Sequence, residues 1–476
     1  MFNDELIQAA DSTVSTPFAG YLQAFWQAVG GSPEHLPHLA VTGSGSLPCA
    51  FAYTDFATAA IGAASLAIAE LVSVTTGSLP SVTVDRRLAS FWFGTSLRPQ
   101  GWALPSPWDP VAGDYRAADG WIRLHTNAPH HRDAALAVLG VAGERDAVAR
   151  AISGWSASAL ETAIVERSGC AAAMRTVQAW ANHPQGQAVR DEPLLHHALS
   201  PSVARATWSV SADRPLRGVR VLDLTRVLAG PVATRFLAGF GAEVLRIDPY
   251  GWEEPGLVPE VVLGKRCARL DLRNAVDRST FERLLGEADV LVHGYRPDAL
   301  AKLGLGAERR RQLNPALVDV SLDAYGWSGQ WRERRGFDSL IQMSCGIAEA
   351  GMRMGRSDRP VPLPGQGNDQ GTGYLMAAAV IRGLTERLTT GAGCVARASL
   401  ARTAQLLIEH TAVQEGATPM KPEHPDDLAT QIEPTPWGPA QRIKAPASVD
   451  GTPMYWDYPA GELGSADARW LSTGKP

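Results

Sequence analysis

Apolar and polar positions along the chain follow two periods, and the change from one to the other is clearest between residues 215 and 248. Val219–Leu224 is a short apolar run rich in β-branched residues, the pattern of a buried strand. Thr225–Pro231 is turn material. Val232–Gly241 has helical spacing and ends on glycine, and Ala242–Ile247 is a second strand that closes on Asp248. Strand, helix and strand in this order predict a βαβ unit, the start of a parallel sheet covered by helices on both faces. In such open sheets ligands sit beyond the carboxyl ends of the strands. A dinucleotide site of the usual kind needs G-x-G-x-x-G in the first turn, where glycines let the backbone approach a pyrophosphate. Thr225–Pro231 has only Gly230, so a nicotinamide cofactor of that kind is not expected.

The same periods divide the rest of the chain. Residues 1–45 form an N-terminal extension with one predicted helix near Phe18–Val29. Ala57–Val74 is long, apolar and alanine-rich but carries Glu70, and it predicts a helix packed between other elements, not a membrane span. This stretch has an echo later on. TDFATAAIGAASLAIAELVSVTTG (54–77) and NDQGTGYLMAAAVIRGLTERLTTG (368–391) each place an aspartate, Asp55 or Asp369, 22 residues before a glycine, Gly77 or Gly391. Both end in Thr-Thr-Gly, and both lead into a strand-like run and a helix beginning near Leu88–Ala89 or Leu400–Ala401. Self-similarity of this kind predicts an internal duplication, with 46–99 as the second copy. Residues 100–195 read as a small α+β domain, with a strand at Trp121–Leu124 and helices at Arg132–Val138, Arg145–Ala151 and Leu160–Ser168. A linker (196–214), a large domain (215–411), a loop (412–432) and a tail rich in Pro and Gly (433–476) complete the expected layout.

Composition narrows the function classes. Hydrophobic residues make up 45% and charged residues 20% of the 476, as in an ordinary globular protein. The net charge of −5 argues against a dedicated nucleic-acid binder and leaves room for a local basic pocket. Five scattered cysteines, without C-x-x-C or a histidine cluster at ligand spacing, predict reduced thiols, no metal site and a cytoplasmic setting. The start, MFNDELIQAADS, is acidic and is not expected to act as a signal peptide.

Several stretches, in order, then resemble the class III CoA-transferase family. They are VLDLTRVLAGP, GAEVLRIDP, GKRCARLDL (264–272), ADVLVHGYRPDALAKLGLG (288–306), NPALVDVSLDAYGWSG (314–329), RRGFD (334–338) and NDQGTG (368–373). DYRAADGWIRLHT and the segment from Gly169 to Val189 are similar to the family's small domain, which here precedes the first strand, as in a permuted, partly duplicated order. The resemblance implies a fold of class α/β, with a parallel Rossmann-like sheet forming a CoA-binding domain, a smaller α+β domain and a family-type interlocked homodimer. It implies acyl-CoA and a small carboxylic acid as partners. Coenzyme A enters as part of the substrate, with no tightly bound cofactor, and neither nucleic acid nor membrane is an expected partner.

Asp369, in a glycine-rich stretch, is the expected nucleophile. The resemblance implies that it attacks the acyl-CoA carbonyl and carries the acyl group as a mixed anhydride, and a carboxylate can split one hard exchange into two easier steps. On spacing alone Asp369 could equally be a helix N-cap. Asp55 lacks the flanking glycines and is expected to be an N-cap in a degenerate copy. For the coenzyme, the resemblance implies Val227, Leu228 and Ala229 beside the thioester, Arg246 flanking adenine, and Lys265, Arg266, Tyr295, Arg296 and Lys302 on the phosphates and base, where arginine and lysine suit an anionic ligand. Phe337 fills the slot in which the racemase branch has a histidine, and it cannot shuttle a proton. His125, His130, His131 and His293 are expected to be surface or structural. The function that the resemblance implies is transfer of CoA from an acyl-CoA to a carboxylic acid. The alternatives are an acyl-CoA racemase or isomerase and a non-catalytic CoA-binding relic.

Overall fold

The computed structural model describes residues 16–201, 208–410 and 418–471. The chain opens with α1 (Pro17–Ala28), β1 (Leu39–Thr42), α2 (Tyr53–Thr76), β2 (Val82–Asp85), α3 (Arg86–Trp92) and β3 (Leu97–Pro99). A small domain follows, built from β4 (Gly113–Arg116), β5 (Trp121–Leu124), α4 (Pro129–Leu139), α5 (Arg145–Ile152), α6 (Ala157–Glu166) and β6 (Ala171–Ala173) around its own apolar core. Helices α7 (Val177–Asn182) and α8 (Pro184–Asp191) lead to β7 (His196–Leu199).

The large unit then runs through β8 (Arg220–Leu224), α9 (Ala229–Gly239), β9 (Glu243–Asp248), α10 (Val258–Val261), β10 (Lys265–Arg269), α11 (Ala275–Gly286), β11 (Val290–His293), α12 (Ala299–Lys302) and α13 (Ala307–Leu313). It continues with β12 (Val318–Asp323), α14 (Asp338–Ser344), α15 (Ile347–Met354), α16 (Gly367–Thr390), β13 (Cys394–Ser399) and α17 (Leu400–Glu409). The strands pair in the order β10-β9-β8-β11-β12-β13-β7. Every pair is parallel except β13–β7, so the sheet is mixed at one edge. The strand order reverses between β8 and β11, whose neighbours lead away in opposite directions. This is the switch point at which a doubly wound sheet opens a crevice at its carboxyl edge.

The expected linker at 196–214 therefore starts with a sheet strand. His-His-Ala-Leu carries no strand signature because β7 is an edge strand, largely exposed, held by backbone pairing to β13; residues 202–207 of that range lie outside the described residues. Nor is the tail a separate piece. Its strands β14 (Glu433–Thr435) and β15 (Gly438–Arg442) pair with β3, and β16 (Ala447–Val449) pairs with β2.

The echo in the sequence becomes an echo in space. α2 and α16 have 24 residues each, and the same offset separates Asp55 from Asp369 and Asp85 from Ser399. The residues before them share an unusual backbone, Ala52 at φ −73°, ψ 55° and Gln366 at φ −83°, ψ 65°. Both helices end on a left-handed glycine, Gly77 at φ 74° and Gly391 at φ 76°, where a side chain would be strained. β2 has a parallel neighbour, β1, and an antiparallel one, β16, as β13 has β12 and β7. The two long helices pack on each other in one apolar core that also takes in α1 and α9. By length and composition α2 is apolar enough to cross a membrane, yet it is enclosed by this core along most of its length. Residues 46–99 are thus a structural part of the large unit.

Candidate active site

A cleft of about 390 Å³ opens at the switch point, between the loops after β8, β11 and β12, the first turn of α4 in the small domain, and the N-terminal end of α16. It brings together five of the residues singled out from sequence: Val227, Ala229, Tyr295, Arg296 and Asp369. Two turns set its shape. Val227 has φ 66°, a left-handed conformation that a β-branched residue adopts only under constraint. Its N–H donates to Glu254 Oε1 at 2.7 Å, which holds it there. Gly373 lets α16 approach α9, since a Cβ at that position would lie 2.5 Å from the Ala229 carbonyl oxygen.

Asp369 lies inside the first turn of α16, after the N-cap residue Gln366, so it is neither ahead of the helix nor its cap. Its side chain is 7% exposed and has no cation partner among the described residues. Its own N–H donates to Asp338 Oδ2 at 2.8 Å, and Asp338 also accepts from Gln342 Nε2 at 2.6 Å and Asn368 Nδ2 at 3.2 Å. Burial, and then the neighbouring Asp338 carboxylate, push the Asp369 carboxyl well above the ordinary range, while the Ala229 amide opposes the shift. Burial likewise raises Asp338, to about 6, although its hydrogen-bond donors favour the charged form. Asp338 was present in the RRGFD motif, but spacing gave no sign that it would meet Asp369.

Asp55, at the matching place in α2, has a different environment. It too is not a cap, and its carboxylate accepts from Arg86 at 3.0 Å. The position matching Arg86 in the other copy is Leu400, which lines the cleft. At this position the two copies differ by a guanidinium that holds Asp55 and an aliphatic side chain that lines the cleft beside Asp369.

The remaining residues expected at the coenzyme lie outside this cleft. Arg246 is fully buried and donates to Asp248 and Glu254, both at 2.8 Å. Lys265 is buried behind the first turn, donating to Asp223 Oδ2 and the Pro231 carbonyl at 3.0 Å, and burial draws it down to about 8. Arg266 faces the tail and donates to the Arg469 carbonyl at 2.7 Å. Lys302 is exposed and paired with Asp298, and Leu228 is buried in the core; neither lines the cleft. Strand-end charges looked available in sequence because their internal partners lie on other strands and loops.

Sequence reasoning also missed residues. Arg335 lines the cleft with Arg296, and neither has a carboxylate partner among the described residues. Burial and then the Arg296 charge lower the Arg335 guanidinium, as expected of two cations waiting for an anion. Arg226 lies over the Trp252 and Tyr295 rings at 4.8 and 5.4 Å. His130 and His131 line the cleft and were expected to be surface or structural. Burial, then His130, hold the His131 imidazole at about 3 and so neutral. His125 is buried and stacks on Phe337, ring centroids 3.7 Å apart. His293 is buried at the end of β11 facing Asp319.

Comparison with known proteins supplies the last observation. Residues 216–436 match the sequence model of CoA-transferase family III. The chain is 33% identical over 204 residues to a probable fatty acyl-CoA transferase of Mycobacterium tuberculosis, covering 39% of this chain and 50% of that one. It is 32% identical over 194 residues to succinyl-CoA:glutarate CoA-transferase of Mus musculus, covering 38% and 44%. A crystal structure of an M. tuberculosis protein aligns at 32% identity and a TM-score of 0.37, over 41% of this chain and 59% of that one. The chain spans about half the length of the curated relatives it matches.

Proposed function

We propose, from the match of residues 216–436 to the CoA-transferase family III model, that this protein moves CoA from an acyl-CoA to a carboxylic acid through a covalent intermediate on Asp369. The observation that carries the proposal is Asp369 itself. It is a buried carboxyl, free of any cation among the described residues, in a cleft also lined by two guanidiniums, Arg296 and Arg335, that have no carboxylate partner among those residues.

Each step balances. The Asp369 carboxylate attacks the thioester carbonyl and expels CoA thiolate, leaving a mixed anhydride. The thiolate attacks the Asp369 carbonyl carbon, releasing the donor acid as a carboxylate and leaving an aspartyl-CoA thioester. The acceptor carboxylate attacks that thioester, expelling thiolate and forming a second anhydride. Thiolate attack on the acceptor carbonyl then yields the new acyl-CoA and restores Asp369. No proton moves, so no general acid or base is required. A carboxylate destabilised by burial and by Asp338 is a better nucleophile when ionised, because forming the covalent bond removes the buried charge. Arg296 and Arg335 suit the phosphates, and the Arg226–Trp252–Tyr295 cluster suits a planar base. Racemisation has weaker support: Phe337 offers no proton-carrying group, and a neutral imidazole as weakly basic as His131 is a poor base for an α-proton.

Intact mass after incubation with an acyl-CoA panel, quenched with hydroxylamine or borohydride, tests the proposal. An adduct or reduction product on the Asp369 peptide is expected, absent in Asp369→Ala and retained in Asp55→Ala. An adduct that follows Asp55, or CoA binding without adduct or exchange for any donor pair, refutes it.

A further inference from the structure

A second cleft, of about 360 Å³, lies on the far side of a wall made by Val227, Trp252 and Phe337, which line both cavities. It is bounded by the loop 106–109 and the start of α4 from the small domain and by the loop 251–257 after β9. No arginine or lysine lines it, whereas five arginines line the first. Trp108, Trp252, Phe337 and Leu257 supply flat apolar walls, together with prolines 107, 129 and 255.

Its polar groups are already committed. Asp109 accepts from the Val111 N–H at 3.0 Å and Thr126 Oγ1 at 2.8 Å, and it pairs with Arg132 at 3.5 Å. Glu254 accepts from Val227 and Arg246. Asn127 is tied to the Asp109 amide and the Pro107 carbonyl. His125 faces Ser339 at 3.3 Å and stacks on Phe337, and burial, then the Arg123 charge, keep it neutral. Glu253, paired with Arg269, is largely exposed. Each carboxylate of the cleft is thus already paired with an arginine outside its lining, and a second carboxylate on a substrate would find no free cation among the lining residues. At ~30 Å³ per water-sized volume the space holds about a dozen heavy atoms.

We infer that this second cleft receives the acyl group, and that the acyl group is uncharged and bulky, an aromatic or alicyclic ring on a short stem. The inference rests on the transferase reading above. The cationic first cleft takes the anionic coenzyme, and the shared wall marks where the thioester passes from one cavity to the other. Dicarboxylic acyl groups are rejected because desolvating their free carboxylate beside Asp109 and Glu254 is uncompensated.

The test is the rate of Asp369 adduct formation by the full chain with phenylacetyl-CoA and cyclohexanecarbonyl-CoA against succinyl-CoA and glutaryl-CoA. Ring-bearing donors are expected to react at least about tenfold faster, the discrimination that a shaped apolar pocket supplies. Equal or faster reaction of the dicarboxylic donors overturns the inference. Trp108→Ala, whose site is only half-buried, should reduce the ring-to-dicarboxylate preference about tenfold; an unchanged preference in a variant with wild-type circular dichroism also overturns it. If no donor forms an adduct, the transferase reading has failed. The cleft is then tested alone, by tryptophan fluorescence titration of Asp369→Ala with phenylacetate and with glutarate. Saturable quenching by phenylacetate alone, lost on Trp108→Ala, supports the apolar site; quenching by both or by neither overturns it.

Discussion

Asp369 and Asp338 make the site sensitive to pH because two carboxyls share one buried neighbourhood. Only ionised Asp369 attacks, so adduct formation should rise with pH through a midpoint above the ordinary carboxylate range. Asp338→Asn removes the like charge and should move that midpoint to lower pH, as measured by quenched-mass rates across a pH series; an unmoved midpoint would mean that burial alone sets it. Stability runs the other way. A carboxyl raised in the folded state binds protons better there than in the unfolded chain, so its contribution is complete below pH 3.8 and is lost as pH rises to about 6 for Asp338. Asp369 was legible in sequence through the family resemblance of its glycine-rich stretch, since spacing alone left it as readily a helix N-cap. Asp338, Arg335 and His131 were not, since they meet Asp369 only through loops that sequence separation hides.

At the scale of elements, the long helix α16 carries the nucleophile and is positioned by close contact on two sides. Toward α2, a Cβ on Gly371 would lie 2.5 Å from the Phe56 ring; toward α9, one on Gly373 would strike the Ala229 backbone. A ring can turn, but a carbonyl in a packed helix cannot. Gly373→Ala should therefore destabilise the protein by about 1–3 kcal/mol through overpacking, lowering the thermal midpoint. It should also slow adduct formation more than it weakens CoA binding, because Ala229 touches both the helix and the cleft. Wild-type stability together with wild-type rates would contradict this account of the packing. The duplicated segment was visible from Asp-to-Gly spacing, but its role was not. Arg86, the first residue after β2, turns Asp55 into a structural ion pair, and only the folded copy shows them 3.0 Å apart.

For the whole molecule, the cleft draws on the small domain and the large unit of the same chain: α4 comes from residues before the sheet, and the loops and α16 come from within it. The described lining therefore joins both parts of one polypeptide. Adduct formation per chain should be independent of protein concentration across the range in which light scattering resolves one copy from two. A rate that falls with dilution would instead show that a second copy completes the site, as the family-type dimer expected from sequence would allow.

By itself, the sequence determined what local chemistry dictates. Alternation of apolar runs specified the βαβ start and the parallel strands, the missing glycines excluded a dinucleotide turn, and the repeated Asp-to-Gly interval announced a duplicated helix. Tertiary structure decided which charges are available. Arg246 and Lys265 look like ligands along the chain and are neutralised inside it, whereas Arg335, which the motif RRGFD did not mark out, lines the cleft with no carboxylate partner among the described residues. The reason is physical: burying a charge is costly unless a partner meets it, and the partners of these residues come from strands and loops that only the fold brings beside them.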